Sequence, residues 1–160
     1  MNRTVTIREA TKADWPKLAL LRWDSAKKSR KRAALSRKTF VSDFSTFLAE
    51  SMKQERWKIW VAEFHGRIVG NLYVASIAKV PRPNEFRTRF GYMTGVYVKA
   101  DERNRGIGSM LVKAADKWAD SAGLEFVVVW PSNKSIPFYG RHGYKRGTAI
   151  ERKRQRNQAV

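Results

Sequence analysis

The six residues Arg103-Asn104-Arg105-Gly106-Ile107-Gly108 constrain this chain more than any other stretch. They follow a β-rich run, Phe90 to Val98, and open a helical one, Gly106 to Ala122. A chain that passes from strand to helix through such a loop predicts an α/β protein, with the helix returned onto a sheet. Glycine in the loop admits backbone angles closed to other residues and lets a ligand approach the main chain. The first helical turn presents amide N–H groups without intrahelical partners, and they carry about half a unit of positive charge. Arg103 and Arg105 add full charges. The loop therefore suits an anion, most naturally a phosphate or pyrophosphate. A Walker loop is excluded, because no lysine stands between Gly108 and Ser109. A dinucleotide fingerprint is excluded too, because Leu111 takes the place of its third glycine. A glycine-containing helix start with no ligand is the alternative that the loop alone leaves open.

Around this loop the chain reads as alternating strands and helices. Thr4 to Arg8 predicts a first strand, and Thr11 with Asp14 three residues on predicts a helix start in a capping box, with Pro16 in the first turn. That helix should bury Trp15, Leu18, Leu21 and Trp23. The spacing Val41, Phe44, Phe47, Leu48, Met52 predicts a second helix from Phe40. Trp57 to Phe64 and Ile68 to Ile77 predict a hairpin turning at His65-Gly66-Arg67. Phe90 to Val98 is the next strand, and Gly95 inside it marks a bulge or a close approach to a ligand. The helix after the loop should bury Ile107, Met110, Leu111, Ala114 and Trp118 and stop at Gly123. Leu124 to Trp130 predicts a strand central in the sheet. A short helix over Ser135 to Arg141 and a last strand from Gly143-Tyr144 to near Ile150 complete the order. The expected fold is a single α/β domain over residues 1–150, a mixed sheet flanked by helices, followed by a basic tail, 151–160.

Composition removes several kinds of chemistry. The chain has no cysteine and two histidines, His65 and His142, so disulfides, thiolate sites, a cysteine nucleophile and a histidine-rich metal centre are excluded. Any group transfer uses another nucleophile or goes directly from donor to acceptor. No apolar run reaches the ~18 residues of a membrane span, and no signal-peptide-like stretch opens the chain, so a cytoplasmic protein without a membrane partner is expected. The 33 Lys and Arg against 14 Asp and Glu give a net charge of +19, an excess that attracts polyanions as well as keeping a surface solvated. Ala26 to Lys38 concentrates seven cations and no acid, and the tail holds Arg152, Lys153, Arg154 and Arg156.

Three stretches together resemble the GNAT superfamily of N-acetyltransferases. The loop matches its Arg/Gln-x-x-Gly-x-Gly/Ala signature, and Tyr92 to Arg103 is similar to its bulged strand and following turn. Asn133-x-x-Ile136-x-x-Tyr139, followed by Gly143-Tyr144, is similar to its second cofactor motif. The resemblance implies acetyl-CoA as cosubstrate, no metal, and a mostly antiparallel mixed sheet with a bulged strand. It implies that the backbone of Val96, Tyr97 and Val98 pairs with the pantetheine arm, and that Arg103, Asn104, Arg105, Gly106, Ile107, Gly108 and Ser109 cradle the pyrophosphate. Asn133 helps hold the cofactor arm, and Tyr139 protonates the leaving thiolate. A phenol with an ordinary pKa near ~10 is a proton donor suited to that role.

Two departures from the family pattern stand out. Ile136 replaces a usual alanine. The bulged strand offers Tyr92, Thr94 and Tyr97 but not the glutamate that deprotonates the amine in many relatives, so Glu63 and Asp24 are substitute candidates beside a water chain. The family builds its acceptor pocket from the first two helices and their connection, here the basic segment. That charge favours an amine on an anionic assembly, such as aminoacyl-tRNA or a ribosomal protein, making RNA or a ribonucleoprotein the expected partner of a monomer or homodimer. The alternative is a catalytically impaired module of this fold that binds RNA through its basic surface.

Overall fold

The computed structural model of the protein describes residues 4–26, 35–85 and 87–149. The chain forms two compact units, Met1–Trp130 and Pro131–Val160. In the first, β1 (Thr6–Glu9) leads into a 3-10 turn over Lys12–Asp14 and then α1 (Trp15–Ser25). Asp14 makes that start: its carboxylate accepts from the Thr11 backbone N–H at 2.7 Å and from Arg8 at 2.7 and 3.0 Å. Held by these donors, chiefly the Arg8 guanidinium, the Asp14 carboxyl falls to a pKa of about 2 although burial opposes the shift. Arg8 also bonds Glu63 at 2.9 Å, which ties β1 to its neighbour.

The second helix, α2 (Arg37–Lys53), begins earlier than the apolar spacing suggests. Ser36 caps it, its Oγ accepting from the Thr39 N–H at 3.1 Å, so Arg37 and Lys38 form its charged first turn. Leu48 is buried, while Phe47 and Met52 are exposed at 41% and 36%. The spacing names the helix correctly and overstates the width of its buried stripe. Residues 27–34 of the basic segment, and the tail, lie outside the described residues.

A meander follows: β2 (Trp57–Phe64), β3 (Arg67–Ala78) and β4 (Arg89–Val98). The β2–β3 turn is two residues long, and His65 and Gly66 both have positive φ, 50° and 70°, matching the twist of the strands they join. The 3-10 turn Ala100–Glu102 and the glycine loop lead to α3 (Ile107–Ser121), after which β5 (Val127–Val129) runs parallel to β4. The sheet order is β1-β2-β3-β4-β5, antiparallel except for the last pair.

Side chains alternate across this sheet as strand geometry requires. Ile59, Val61 and Tyr73 join Leu18, Leu21 and Leu48 in one core beneath α1 and α2. Trp60 faces the other way and meets Trp118 of α3 edge-on at 5.5 Å. On α3 the buried residues are Ile107, Leu111, Val112, Ala115 and Ala119, whereas Met110 is 37% exposed and does not join the core as its spacing suggests.

The expected position of the Leu124–Trp130 strand is corrected. β5 spans only Val127–Val129, is half-buried, and has β4 as its one partner in the described sheet. Phe126 and Trp130 at its ends are 49% and 61% exposed. An apolar run alone does not distinguish a strand covered on both sides from an edge strand flanked by surface aromatics.

The second unit opens with a 3-10 turn, Asn133–Ser135, and α4 (Ile136–Gly140). Tyr139 is buried here, packed edge-on against Phe138 and Tyr144 at 5.1 and 5.7 Å. The last strand expected from Gly143 is not formed over residues 143–149, which have no strand pairing. Lys145 and Arg146, followed by Gly147, break the apolar alternation that would hold it in a sheet.

Candidate active site

The site begins with a ladder that stops. β5 pairs with β4 only at Gly91, Tyr92 and Met93, while β4 continues to Val98. From Thr94 onward, β4 has no strand beside it on that edge among the described residues. This is where Val96, Tyr97 and Val98 lie. The other edge stays paired with β3, through a register shift between Asn71 and Tyr73 that places the bulge at Gly95–Val96. Gly95 is required there. Its φ is +61°, and an added Cβ would fall 2.8 Å from the Tyr73 ring. Asn71 fixes the bulge by donating from Nδ2 to the Gly95 carbonyl at 2.6 Å.

Beyond Val98 the chain turns into the glycine loop. Asn104 has φ +62° and Gly106 φ +75°, so the main chain reverses twice before α3 starts at Ile107. These left-handed residues next to a helix N-terminus give the concave row of N–H groups that holds anions. The loop's side chains are less available than its charge suggests. Arg105 bonds the buried carboxylate of Glu102 at 2.7 Å, with Arg67 3.8 Å from the same group. Arg103 donates from Nε to the Val98 carbonyl at 3.0 Å, and its guanidinium lies over the Tyr97 ring. Main-chain N–H groups at the start of α3 are therefore better candidates for an anion than these side chains.

The Thr94–Gly95 end of the open edge borders a cavity of about 240 Å³. Its other walls are Phe44 and Phe47 of α2, Trp57 of β2, Tyr73 of β3 and Arg22 of α1. The aromatic rings touch one another: Phe44 and Trp57 each meet Tyr73 edge-on, at 6.4 and 6.5 Å, and Phe47 meets Trp57 at 5.9 Å. Among the described residues no acid lines the cavity. Glu63 is bonded to Arg8, and neither it nor Asp24 is a wall residue. The Tyr73 hydroxyl and Asn71 Oδ1 are buried with no hydrogen-bond partner in the described protein.

Of the residues expected from sequence, Val96, Tyr97, Val98 and Arg103 to Ser109 fall together along one strand edge and the loop that continues it. Asn133 and Tyr139 belong to the second unit, Asn133 exposed and Tyr139 buried. Burial raises the Tyr139 pKa, so its phenol keeps its proton at neutral pH. The cavity walls and Glu102 were not foreseen. Phe44, Phe47 and Trp57 read as core positions in sequence, and no local pattern marks Arg22 or Glu102.

A bulged strand whose edge opens before a glycine loop and a helix N-terminus is the architecture of an acyl-CoA-dependent transferase. The profile of the Acetyltransferase (GNAT) family matches residues 15–144, and the chain belongs to that family. Acetyl-CoA-dependent acetylation is general to it. The chain is 29% identical over 56 residues to the uncharacterized N-acetyltransferase YjcF of Bacillus subtilis, a match covering 35% of this chain and 40% of that relative's length. A predicted acetyltransferase of Clostridium acetobutylicum, solved with acetyl-CoA, superposes with a TM-score of 0.80 at 16% identity, covering 94% of this chain and 96% of the other. A GCN5-related N-acetyltransferase of Ralstonia eutropha superposes with a TM-score of 0.76 at 22% identity, covering 94% and 98%. Among the described residues no helix is long and apolar enough to cross a membrane.

Proposed function

We propose that the protein transfers the acetyl group of acetyl-CoA directly to a primary amine in a ternary complex. The observation that carries this reading is the open edge of β4 from Thr94 to Val98, leading straight into the glycine loop. An extended amide-bearing arm matches an unpaired strand edge, and a pyrophosphate matches the amides of Ile107, Gly108 and Ser109. When bound, acetyl-CoA supplies the acetyl thioester. The neutral amine of the acceptor forms its N–C bond at the thioester carbonyl as the C–S bond breaks. The ammonium proton leaves to water. Tyr139, protonated at neutral pH, gives its proton to the departing sulfur and is reprotonated from solvent. Asn133 keeps its proposed part in holding the cofactor arm.

The acceptor is proposed to be presented on an anionic assembly such as aminoacyl-tRNA or a ribosomal protein, on the ground of the net charge of +19. Thiol release in a panel of amines, including charged tRNA and ribosomal fractions, tests the reading. Turnover of any amine supports transfer. Acetyl-CoA binding without turnover of any amine would instead favour the RNA-binding module. Changing Lys27, Lys28, Arg30, Lys31 and Arg32 to Ser tests the charge separately. If these side chains neutralise phosphates, the slope of log affinity for RNA against log salt falls by ~0.7–0.9 for each phosphate left unneutralised, with acetyl-CoA binding intact.

A further inference from the structure

We infer that the cavity beside Gly95 receives an aminoacyl unit with a large apolar side chain, which packs among Phe44, Phe47, Trp57 and Tyr73 while Arg22 binds its carboxyl group. The inference rests on the acetyl-transfer reading, which places the reacting carbon at the Thr94–Gly95 end of the β4 edge.

Four aromatic walls and a volume of about 240 Å³ select a compact apolar body. The volume lies below the ~300–1,000 Å³ of sites for drug-sized ligands and suits one large side chain. The polar part is equally specific. Among the described residues Arg22 is the one charged wall residue, and no carboxylate pairs with it. A guanidinium at an otherwise aromatic wall selects a group with lone pairs, either a carboxylate or an ester carbonyl.

The missing acid also follows. An apolar wall and a guanidinium both disfavour an ammonium, so an amine that enters is driven to its neutral form without a protein base. An α-amine beside an ester or amide carbonyl, with a pKa near ~8, reaches that form far more readily than an alkyl amine near ~10.4.

The test compares kcat/KM by thiol release for phenylalanine, phenylalanine ethyl ester and phenylalanyl-tRNA, each against its glycine counterpart, with phenethylamine and spermidine alongside. The expected result is a phenylalanine unit preferred over glycine by about ten-fold or more in at least one of the three sources, with phenethylamine and spermidine weaker than that source by a similar factor. The best source then tells a free carboxylate from an ester or a tRNA-borne one. Arg22→Gln should lower turnover of the phenylalanine unit about ten-fold while leaving phenethylamine within about two-fold, because only the former has a carboxyl group for the guanidinium to hold. Preference for spermidine, equal use of glycine and phenylalanine, or an Arg22→Gln loss common to all amines would overturn the inference. A melting-temperature shift with acetyl-CoA separates the two levels. If the shift is present, such a failure belongs to the acceptor assignment alone; if absent, the acetyl-transfer reading falls and this one with it.

Discussion

The proposed donor edge and the proposed acceptor cavity meet at Gly95, yet they are made of different material. The edge from Val96 to Ser109 works through main-chain groups, shaped by a bulge, two left-handed residues and a helix start. The cavity works through side chains brought from α1, α2, β2 and β3. A backbone site depends on conformation and tolerates changes in neighbouring side chains. A side-chain site changes with each wall residue. One protein can therefore keep its donor fixed while its acceptor varies, and substitutions should separate cleanly into those that disturb one region and those that disturb the other.

Gly95 is the place where that separation should fail. Gly95→Ala puts a methyl group 2.8 Å from the Tyr73 ring at a φ of +61°. The left-handed conformation and the overpacking together should cost about 2–4 kcal/mol, or roughly 5–15 °C in melting temperature. Both acetyl-CoA binding and acceptor turnover should weaken. A variant that melts like the wild type would remove the bulge from the centre of the site.

Gly108→Val should act on the donor region alone. Acetyl-CoA at one hundred times its dissociation constant stabilises the wild-type fold by about 2.7 kcal/mol, a shift of several degrees. The branched side chain at the helix start should abolish most of that shift and leave the ligand-free melting temperature nearly unchanged. An undiminished shift would mean the pyrophosphate lies elsewhere.

Tyr139→Phe should spare binding on both sides and lower kcat about ten-fold or more, where protonation of the thiolate limits the rate. The ring still packs against Phe138 and Tyr144, so the melting temperature should hold. An unaltered kcat with a slow acceptor would make Tyr139 a packing residue.

The smallest effect is expected at Asp14, which anchors the start of the helix that carries Arg22. Its carboxyl titrates at about 2 when folded, below its ordinary 3.8. The stability it lends is complete above the unfolded value and is lost as pH falls through the folded one, roughly 1–3 kcal/mol in all. Asp14→Asn should remove that acid-side loss, lower stability near pH 7 by a similar amount and raise acceptor KM modestly through a looser α1. The acetyl-CoA shift should persist. A pH profile of unfolding that is identical for the two proteins between pH 2 and 5 would show that the Arg8 pairing contributes nothing.

The same contrast explains what the sequence disclosed. A glycine loop between a strand and a helix is local, and so is the Gly95 bulge; both are written in consecutive residues. The His65-Gly66 turn and the Thr11–Asp14 start were legible for that reason too. Arg22, Phe44, Trp57 and Tyr73 become neighbours only when two helices settle on the sheet, and each has an ordinary core or surface reading on its own. The edge position of β5 was illegible in the same way: Val127 to Val129 reads as apolar whether one neighbouring strand or two will cover it. Met110 and Phe47 show the remaining gap, since helical spacing gives a face but not how far its neighbours reach around it.

The strand order also has a temporal side. β2, β3 and β4 pair with their immediate neighbours in sequence, and the two-residue turn at His65-Gly66 brings the first of these pairs together at small loop-closure cost. β1 must wait for a partner some fifty residues away, with both helices intervening, as the Arg8–Glu63 bond across 55 positions shows. The meander is thus the natural folding nucleus, and β1 a late addition. Weakening the hairpin should slow refolding, while cutting the Arg8–Glu63 bond should leave refolding alone and hasten unfolding, making the N-terminal strand the fastening that sets how long the molecule stays folded.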